Sequence, residues 1–330
     1  MNPKPRIGVV GCGALGTFYG ARLARAGHDV HLVLRSDYEA VRARGVRILD
    51  AEGGFTVHPG AVRDPGELGV CDLVIIGLKT TANGEFSRWV GPLVGPQTAV
   101  LTLQNGLGNE EALAELFGSE RILGGLCVVC LNRLEPGVVH HLAHGLVMLG
   151  EYQRPASDRV RFIARLFEGA GVACRIMESL ERAHWEKLVW NIPFNGLGVA
   201  ASAGLEAVLS GHRTPGQTLG PCLPTEPLLA DPRWKSLVRE LMMETIAAAR
   251  AQGLDVQESV ADEQMERTLA MGSYRASTLI DFERGLPLEI EALFAEPLRR
   301  AQAAGVHAPR LTALVSLLRE LDGLRAPARP

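Results

Sequence analysis

The strand-like run Arg6-Ile7-Gly8-Val9-Val10 ends in Gly11-Cys12-Gly13-Ala14-Leu15-Gly16, and no other segment narrows the possible folds as far. An amphipathic stretch follows from Thr17 to about Ala26, and a second apolar strand spans Val30 to Leu34. Strand, glycine turn, helix and strand in succession turn an otherwise weak Gly-x-Gly-x-x-Gly pattern into a dinucleotide-binding fingerprint. Gly11 permits the tight turn out of the strand. Gly13 removes a side chain where backbone must approach a pyrophosphate. Gly16 lets the helix pack close to the sheet. The start of the helix then presents unpaired N–H groups and a positive dipole end to the phosphates. A glycine-rich turn without a ligand is the plainer alternative, and the βαβ setting weighs against it.

The residue that closes the second strand selects the cofactor. An NAD-preferring site places Asp or Glu there to bind the adenosine 2′-hydroxyl. Here the strand closes as His31-Leu32-Val33-Leu34-Arg35-Ser36, with Asp29 at its start and Asp37 two residues past Arg35. A guanidinium pairs bidentately with phosphate and the Ser36 hydroxyl adds a donor, so NADPH is expected over NADH. A solvated surface side chain is the plainer reading of Arg35.

Length and composition remove several classes. A chain of 330 residues suits two domains better than one small core. Hydrophobic residues at 47% and charged residues at 22% are ordinary for a globular protein, and a net charge of −3 makes no electrostatic case for nucleic acid. No apolar run reaches the ~18 residues of a membrane span. The first strand starts at once and leaves no room for a signal peptide, so a cytoplasmic location is expected. The six cysteines, at 12, 71, 127, 130, 174 and 222, form no disulfide framework. Cys127-Val128-Val129-Cys130 lies in the apolar run Leu126 to Leu131, which reads as a buried strand. The spacing turns the two sulfurs to opposite faces, which argues against redox or zinc chemistry. His140, His141 and His144 fall in a strand or hairpin pattern where neighbours point apart, so no metal is expected.

Strands and helices alternate up to residue 177. Strands are expected at 6–10, 30–34, 46–49, 72–77, 99–103, 122–130, 137–142, 146–149 and 172–176, with helices at 14–26, 37–43, 83–91, 109–116 and 157–169. The alternation predicts an α/β doubly wound sheet of Rossmann type, which binds ligands outside the carboxyl ends of its strands. Two such ends run into Lys79-Thr80 and into Gln104-Asn105-Gly106. From there Lys79 can reach a phosphate, and Asn105 the nicotinamide or substrate. An exposed loop lysine and a simple turn are the plainer readings. Helices are expected next at 180–192, 195–208, 233–252, 257–271, 289–304 and 309–323, with no strand among them. The Pro- and Gly-rich stretch 209–232 reads as a loop, and the tail 325–330 as disordered. The plan is a dinucleotide-binding domain over 1–177 and an all-α domain over 178–330, with a cleft between them.

In the helical part, Lys187, Asn191 and Asn195 recur every four residues and form one polar stripe on a helix, beside Trp185, Trp190 and Phe194. Such a stripe suits a pocket. An ammonium there can hydrogen-bond a carbonyl oxygen and donate a proton as hydride reaches carbon, and desolvation lowers its pKa toward working pH. A solvated helix face is the alternative. Pro193 cannot donate to the Val189 carbonyl and is expected to kink the helix there, which loosens the placement of Asn195. Ser277 and Thr278 fall near a helix start, where hydroxyls cap. Gly285 and Pro287 mark a break, and Glu289 enters the first turn of the next helix, where the dipole favours a carboxylate. The sharper reading of Glu289 is a ligand for a substrate hydroxyl.

Together these segments resemble the ketopantoate reductase (2-dehydropantoate 2-reductase) family nearly end to end. The match comprises the glycine fingerprint, Arg35, Lys79-Thr80, Gln104-Asn105-Gly106, the Lys187-Asn191-Asn195 stripe, and Ser277 ahead of Glu289. The resemblance implies a Rossmann domain plus a helical domain, and an NADPH-dependent oxidoreductase that reduces ketopantoate to pantoate for pantothenate and coenzyme A synthesis. It makes Lys187 the general acid and Glu289 the ligand of the substrate hydroxyl. Asn105, Asn191, Asn195 and Ser277 become substrate and nicotinamide contacts. It places Gly11, Cys12, Gly13, Ala14, Leu15, Gly16, Arg35, Lys79, Asn105 and Glu289 at the cofactor, with Arg35 and Lys79 near the 2′-phosphate. The partner is a small 2-keto acid, without nucleic acid or membrane, and a homodimer is left open. The chain departs from the family pattern at Leu286-Pro287-Leu288, at Ala292 to Glu296 and in the long 209–232 insertion. A paralogue acting on another 2-keto acid is therefore the runner-up. A catalytically idle NADPH sensor is the alternative from a different class, and it would need neither Lys187 nor Glu289.

Overall fold

A computed structural model describes residues 4–51 and 53–324, so the expectation for 325–330 lies outside the described residues. The chain divides into two compact units, Met1–Glu181 and Arg182–Pro330.

The first unit is built on one sheet. Its strands are β1 (Arg6–Val10), β2 (Asp29–Val33), β3 (Val46–Leu49), β4 (Phe55–Val57), β5 (Gly60–Val62), β6 (Leu73–Ile76), β7 (Ala99–Thr102), β8 (Ile122–Glu135), β9 (Val138–Glu151) and β10 (Cys174–Ile176). They lie in the order β4-β3-β9-β8-β7-β6-β1-β2-β5, with β10 beside β9. From β8 to β5 all pairings are parallel. Alternate residues of these strands enter opposite cores. Ile7, Val9, Ile75 and Leu101 pack with Phe18, Tyr19 and Leu23 of the Ala14–Arg25 helix. Val10, Val74, Ile76 and Val100 pack with Phe86, Leu93 and Leu113 on the other face. Both faces are covered, which is why these strands read as unbroken apolar runs rather than as alternating ones.

Beyond β8 the sheet is mixed. β9 runs antiparallel to β8, and β3 and β10 run parallel to β9. The expected strands 137–142 and 146–149 are one strand. His144 (φ 63°) and Gly145 (φ 146°) absorb the irregularity as a register shift, so the pairing continues past it. Residues 127–131 are half-buried, not buried as expected, because the hairpin runs on past the core. β4 and β5 were not anticipated, being too short to show a periodicity. The expected helix 83–91 is a 3₁₀ turn over Thr80–Glu85, one α turn over Phe86–Trp89 and another 3₁₀ turn over Gly91–Leu93; Gly84, Gly91 and Pro92 deny it a longer ladder.

The described residues of the second unit contain helices and no strand. Its central helix, Leu180–Ala200, begins two residues before the unit boundary and passes through Pro193 without interruption. Every residue from 191 to 200 is buried, and packing on all sides holds the helix despite the missing proline donor. The expected break comes later, at Gly204 (φ 86°), which separates this helix from Leu205–Ser210. The 209–232 stretch holds a short helix, Thr225–Ala230. It is tied down by backbone bonds from Gly220 to Ser202 (2.7 Å) and from Leu223 to Gly198 (2.9 Å). Glu289 stands just before its helix rather than in the first turn, and its carbonyl accepts from Leu293 N (3.2 Å). Wide π turns cover Glu291–Ala295, ahead of Pro297, which has no N–H to give.

Candidate active site

The backbone of the glycine turn leaves no room for a side chain at Gly11 or Gly16 and leaves open space at Gly13. A β-carbon at Gly11 would collide with the backbone of Leu78, and Gly11 adopts φ 86°. One at Gly16 would meet the Gly11 carbonyl oxygen at 2.5 Å. One at Gly13 would meet nothing within 4 Å, so the space above Gly13 is open. No side chain caps the Ala14–Arg25 helix, whose first N–H groups face that space. Thr17 Oγ1 donates to the Cys12 carbonyl (3.0 Å) and pins the turn. Burial, and secondarily the Asp37 charge, push the Cys12 thiol well above its usual pKa, so it is a filler and not a nucleophile. This cradle, with its open floor and uncapped amides, fits the phosphates of a dinucleotide.

Past the end of β2, Arg35 is exposed and has no side-chain hydrogen bond or ion pair among the described residues. Ser36 does not supply the free donor expected of it, because its hydroxyl donates to Asp37 Oδ1 (2.9 Å). Asp37 is buried and fully engaged. It accepts from Ser36, from Gly137 N (3.1 Å) and from two nitrogens of Arg133, one at 3.1 Å. A carboxylate has about four acceptor sites, so none remains for a ribose hydroxyl. Lys79 is exposed at the start of the 3₁₀ turn that follows β6. Asn105 is half-buried after β7, and its backbone carbonyl accepts from Asn109 Nδ2 (3.1 Å). The sequence held no sign of the Asp37–Arg133 pair, whose members stand 96 residues apart.

In the second unit the uninterrupted helix puts Lys187, Asn191 and Asn195 on one face. Lys187 is half-buried; Asn191 and Asn195 are buried, at 6% and 3% exposure. Asn195 Nδ2 donates to Asn191 Oδ1 at 3.4 Å. Asn195 Oδ1 accepts from Thr278 N (3.0 Å) and Ser277 Oγ (3.2 Å). Asn195 therefore caps the Ser277–Glu283 helix, which has no capping side chain of its own. Ser277 is the first residue of that helix and not its cap. Glu289 is buried at 6% exposure, a position a carboxylate tolerates only with polar company.

Of the three histidines, the ring of His141 is engaged in the hairpin. His141 stacks on Phe18 (4.8 Å between ring centres), and its Nε2 lies 2.6 Å from the His144 carbonyl. Among the described residues no group of three His, Cys, Asp or Glu can hold a metal ion, and no helix is long and apolar enough to cross a membrane.

The model of a family described as ketopantoate reductase PanE/ApbA matches residues 7–154, and the model of its C-terminal region matches residues 217–322. The chain belongs to the ketopantoate reductase family. It is accordingly an oxidoreductase with a Rossmann-like sheet domain and a helical C-terminal domain. Among its relatives is a 2-dehydropantoate 2-reductase from Nostoc sp., 38% identical and covering 98% of this chain and 97% of its own length. The crystal structure of a 2-dehydropantoate 2-reductase from Geobacter metallireducens is 46% identical, with a TM-score of 0.87 over 96% of this chain and 99% of that one. The ternary structure of D-mandelate dehydrogenase with NADH and anilino(oxo)acetate shares the fold at 18% identity, with a TM-score of 0.84 over 96% and 98% of the two chains.

Proposed function

We propose that this ketopantoate reductase family member reduces ketopantoate to pantoate with NADPH in the cytoplasm, residues 1–177 serving the cofactor and 178–330 the substrate. The observation that carries this reading is the half-buried Lys187 on a buried helix, in line with the amides of Asn191 and Asn195. A nicotinamide cofactor supplies hydride to the keto carbon. Lys187 hydrogen-bonds the carbonyl oxygen and passes it a proton, which solvent restores to the amine. Glu289 accepts a hydrogen bond from the substrate hydroxyl. Asn191 and Ser277 hold the keto acid, while Asn195 supports Ser277 from beneath. Asn105 orients the nicotinamide. The preference for NADPH is supported by the exposed Arg35, which has no side-chain partner among the described residues, and by the engagement of every acceptor site of Asp37.

The test compares kcat/KM for ketopantoate and for 2-ketoisovalerate, which lacks the hydroxyl. Wild type is expected to prefer ketopantoate by roughly 10- to 100-fold, the worth of one hydrogen bond to a charged group. Glu289→Gln is expected to erase most of that preference. A wild type that favours the unhydroxylated acid makes the chain a paralogue for another 2-keto acid. The departure from the family pattern at Leu286-Pro287-Leu288, just before Glu289, is what keeps that second reading in play. A wild type that binds NADPH and reduces no keto acid would make it a sensor.

A further inference from the structure

Four polar side chains behind Asn105 form a line of hydrogen bonds that all point the same way. Thr102 Oγ1 donates to Gln104 Oε1 (2.9 Å) and accepts from the Gln104 backbone N–H (3.3 Å). Gln104 Nε2 donates to Asn83 Oδ1 (2.8 Å). Asn83 Nδ2 donates to Asn109 Oδ1 (2.8 Å), and Asn109 Nδ2 donates to the Asn105 carbonyl (3.1 Å). Gln104 and Asn109 are buried, and so is Thr102. An amide has a distinct donor end and acceptor end, and the hydroxyl has one proton. Turning Asn83 or Asn109 over would set oxygen against oxygen on one side and nitrogen against nitrogen on the other, and turning Gln104 over would set its oxygen against that of Asn83. The line is therefore locked in one sense along its length, and a broken link leaves buried polar atoms unpaired. It spans two loops: Asn83 belongs to the 3₁₀ turn that opens at Lys79, and Gln104 and Asn109 flank Asn105.

We infer that Gln104 and Asn83 are positioning residues for the reductase reaction, holding the Asn105 loop and the Lys79 loop as one unit under the nicotinamide half of the cofactor. This rests on the functional reading above. Neither residue touches the reacting atoms; each acts through the Asn105 backbone. Packing alone would ask only for the volume of an amide. Positioning asks for its polarity.

Gln104→Glu and Gln104→Met separate the two demands. The first keeps the shape and puts an acceptor where Asn83 needs a donor. The second fills the space without polarity. Melting temperature reports folding, NADPH fluorescence titration reports cofactor affinity, and steady-state assays give kcat and KM for the keto acid. Both variants are expected to stay folded and to lose on the order of 10- to 100-fold in kcat, as a displaced contact does. NADPH affinity should weaken by about 5-fold, the worth of one hydrogen bond. KM for the keto acid should move least. At low pH the carboxyl of Gln104→Glu regains a proton to donate, so its defect should shrink while that of Gln104→Met does not. The ionisable side chains on the two loops and their flanking helices are Lys79, Glu85, Arg88, Glu110, Glu111 and Glu115, and they are common to all three proteins. If wild type is active and both folded variants match it in kcat and NADPH affinity, this inference alone is overturned. A wild type that reduces no keto acid overturns the functional reading and this inference with it.

Discussion

Lys187 is held by a helix and not by a loop, so its distance from Asn191 is set by backbone geometry. Lys187→Ala is expected to lower kcat by roughly 10²–10⁴, the usual worth of general acid catalysis, while NADPH titration finds the affinity unchanged. A variant with wild-type kcat would move the proton donor elsewhere. Asn195, beside the site role proposed for its neighbours, caps a helix. Asn195→Ala removes the acceptor for Thr278 N, a loss of about 1 kcal/mol when a helix cap is deleted, so its activity has to be read beside its stability. The four-residue spacing of the stripe was legible in the sequence because it is local. The capping duty of Asn195 was not, because its partner lies 83 residues away.

Among the elements, the Leu180–Ala200 helix is gripped where it has no side chain. A β-carbon at Gly196 would lie 2.6 Å from Leu314 Cδ2 and 2.9 Å from Phe294 Cε1. Gly196→Ala is expected to cost about 1–3 kcal/mol by overpacking, read in urea unfolding. Glu244 shapes another junction. Its carboxylate accepts from Arg310 N (2.9 Å) and Leu311 N (2.8 Å) at the start of the Pro309–Gly323 helix. Burial raises its pKa above the ordinary 4.5, outweighing those two amides. The folded form thus holds this proton more tightly than the unfolded chain does. The contribution is whole below about 4.5 and is lost as pH rises through the raised value. Melting curves of wild type and Glu244→Gln should therefore diverge in the variant's favour as pH climbs through mildly acid values. Equal slopes would contradict the assignment. At this scale the longer helices were readable from their apolar period, apart from the one that crosses Pro193, while short helices such as Phe86–Trp89 and Thr225–Ala230 were not. There the proline rule was right about the lost bond, and the surrounding packing outweighed it.

For the whole molecule, cofactor binding is a stability measurement. NADPH at 100 times its Kd is expected to add about 2.7 kcal/mol, and NADH at the same concentration distinctly less. Arg35→Ala should bring the two melting temperatures together. Equal shifts in wild type would refute the cofactor preference. The βαβ start, the parallel sheet and the change to helices near residue 180 were legible because each is a run of local pattern. The β8–β9 hairpin was not, for its continuity depends on backbone angles at His144 and Gly145 that composition does not announce. Its tip brings Arg133 to Asp37, and that pairing bears on any attempt to redesign the coenzyme. If Arg35 holds the 2′-phosphate as proposed, deleting it takes away that attraction and creates nothing for a free ribose to hold. The carboxylate that could hold it is already present two residues on, past the same strand end, with its acceptor sites filled. Reversal would start at Arg133: releasing that guanidinium would turn Asp37 from a structural clasp into the acidic group of an NAD enzyme, without adding a single new charge to the site.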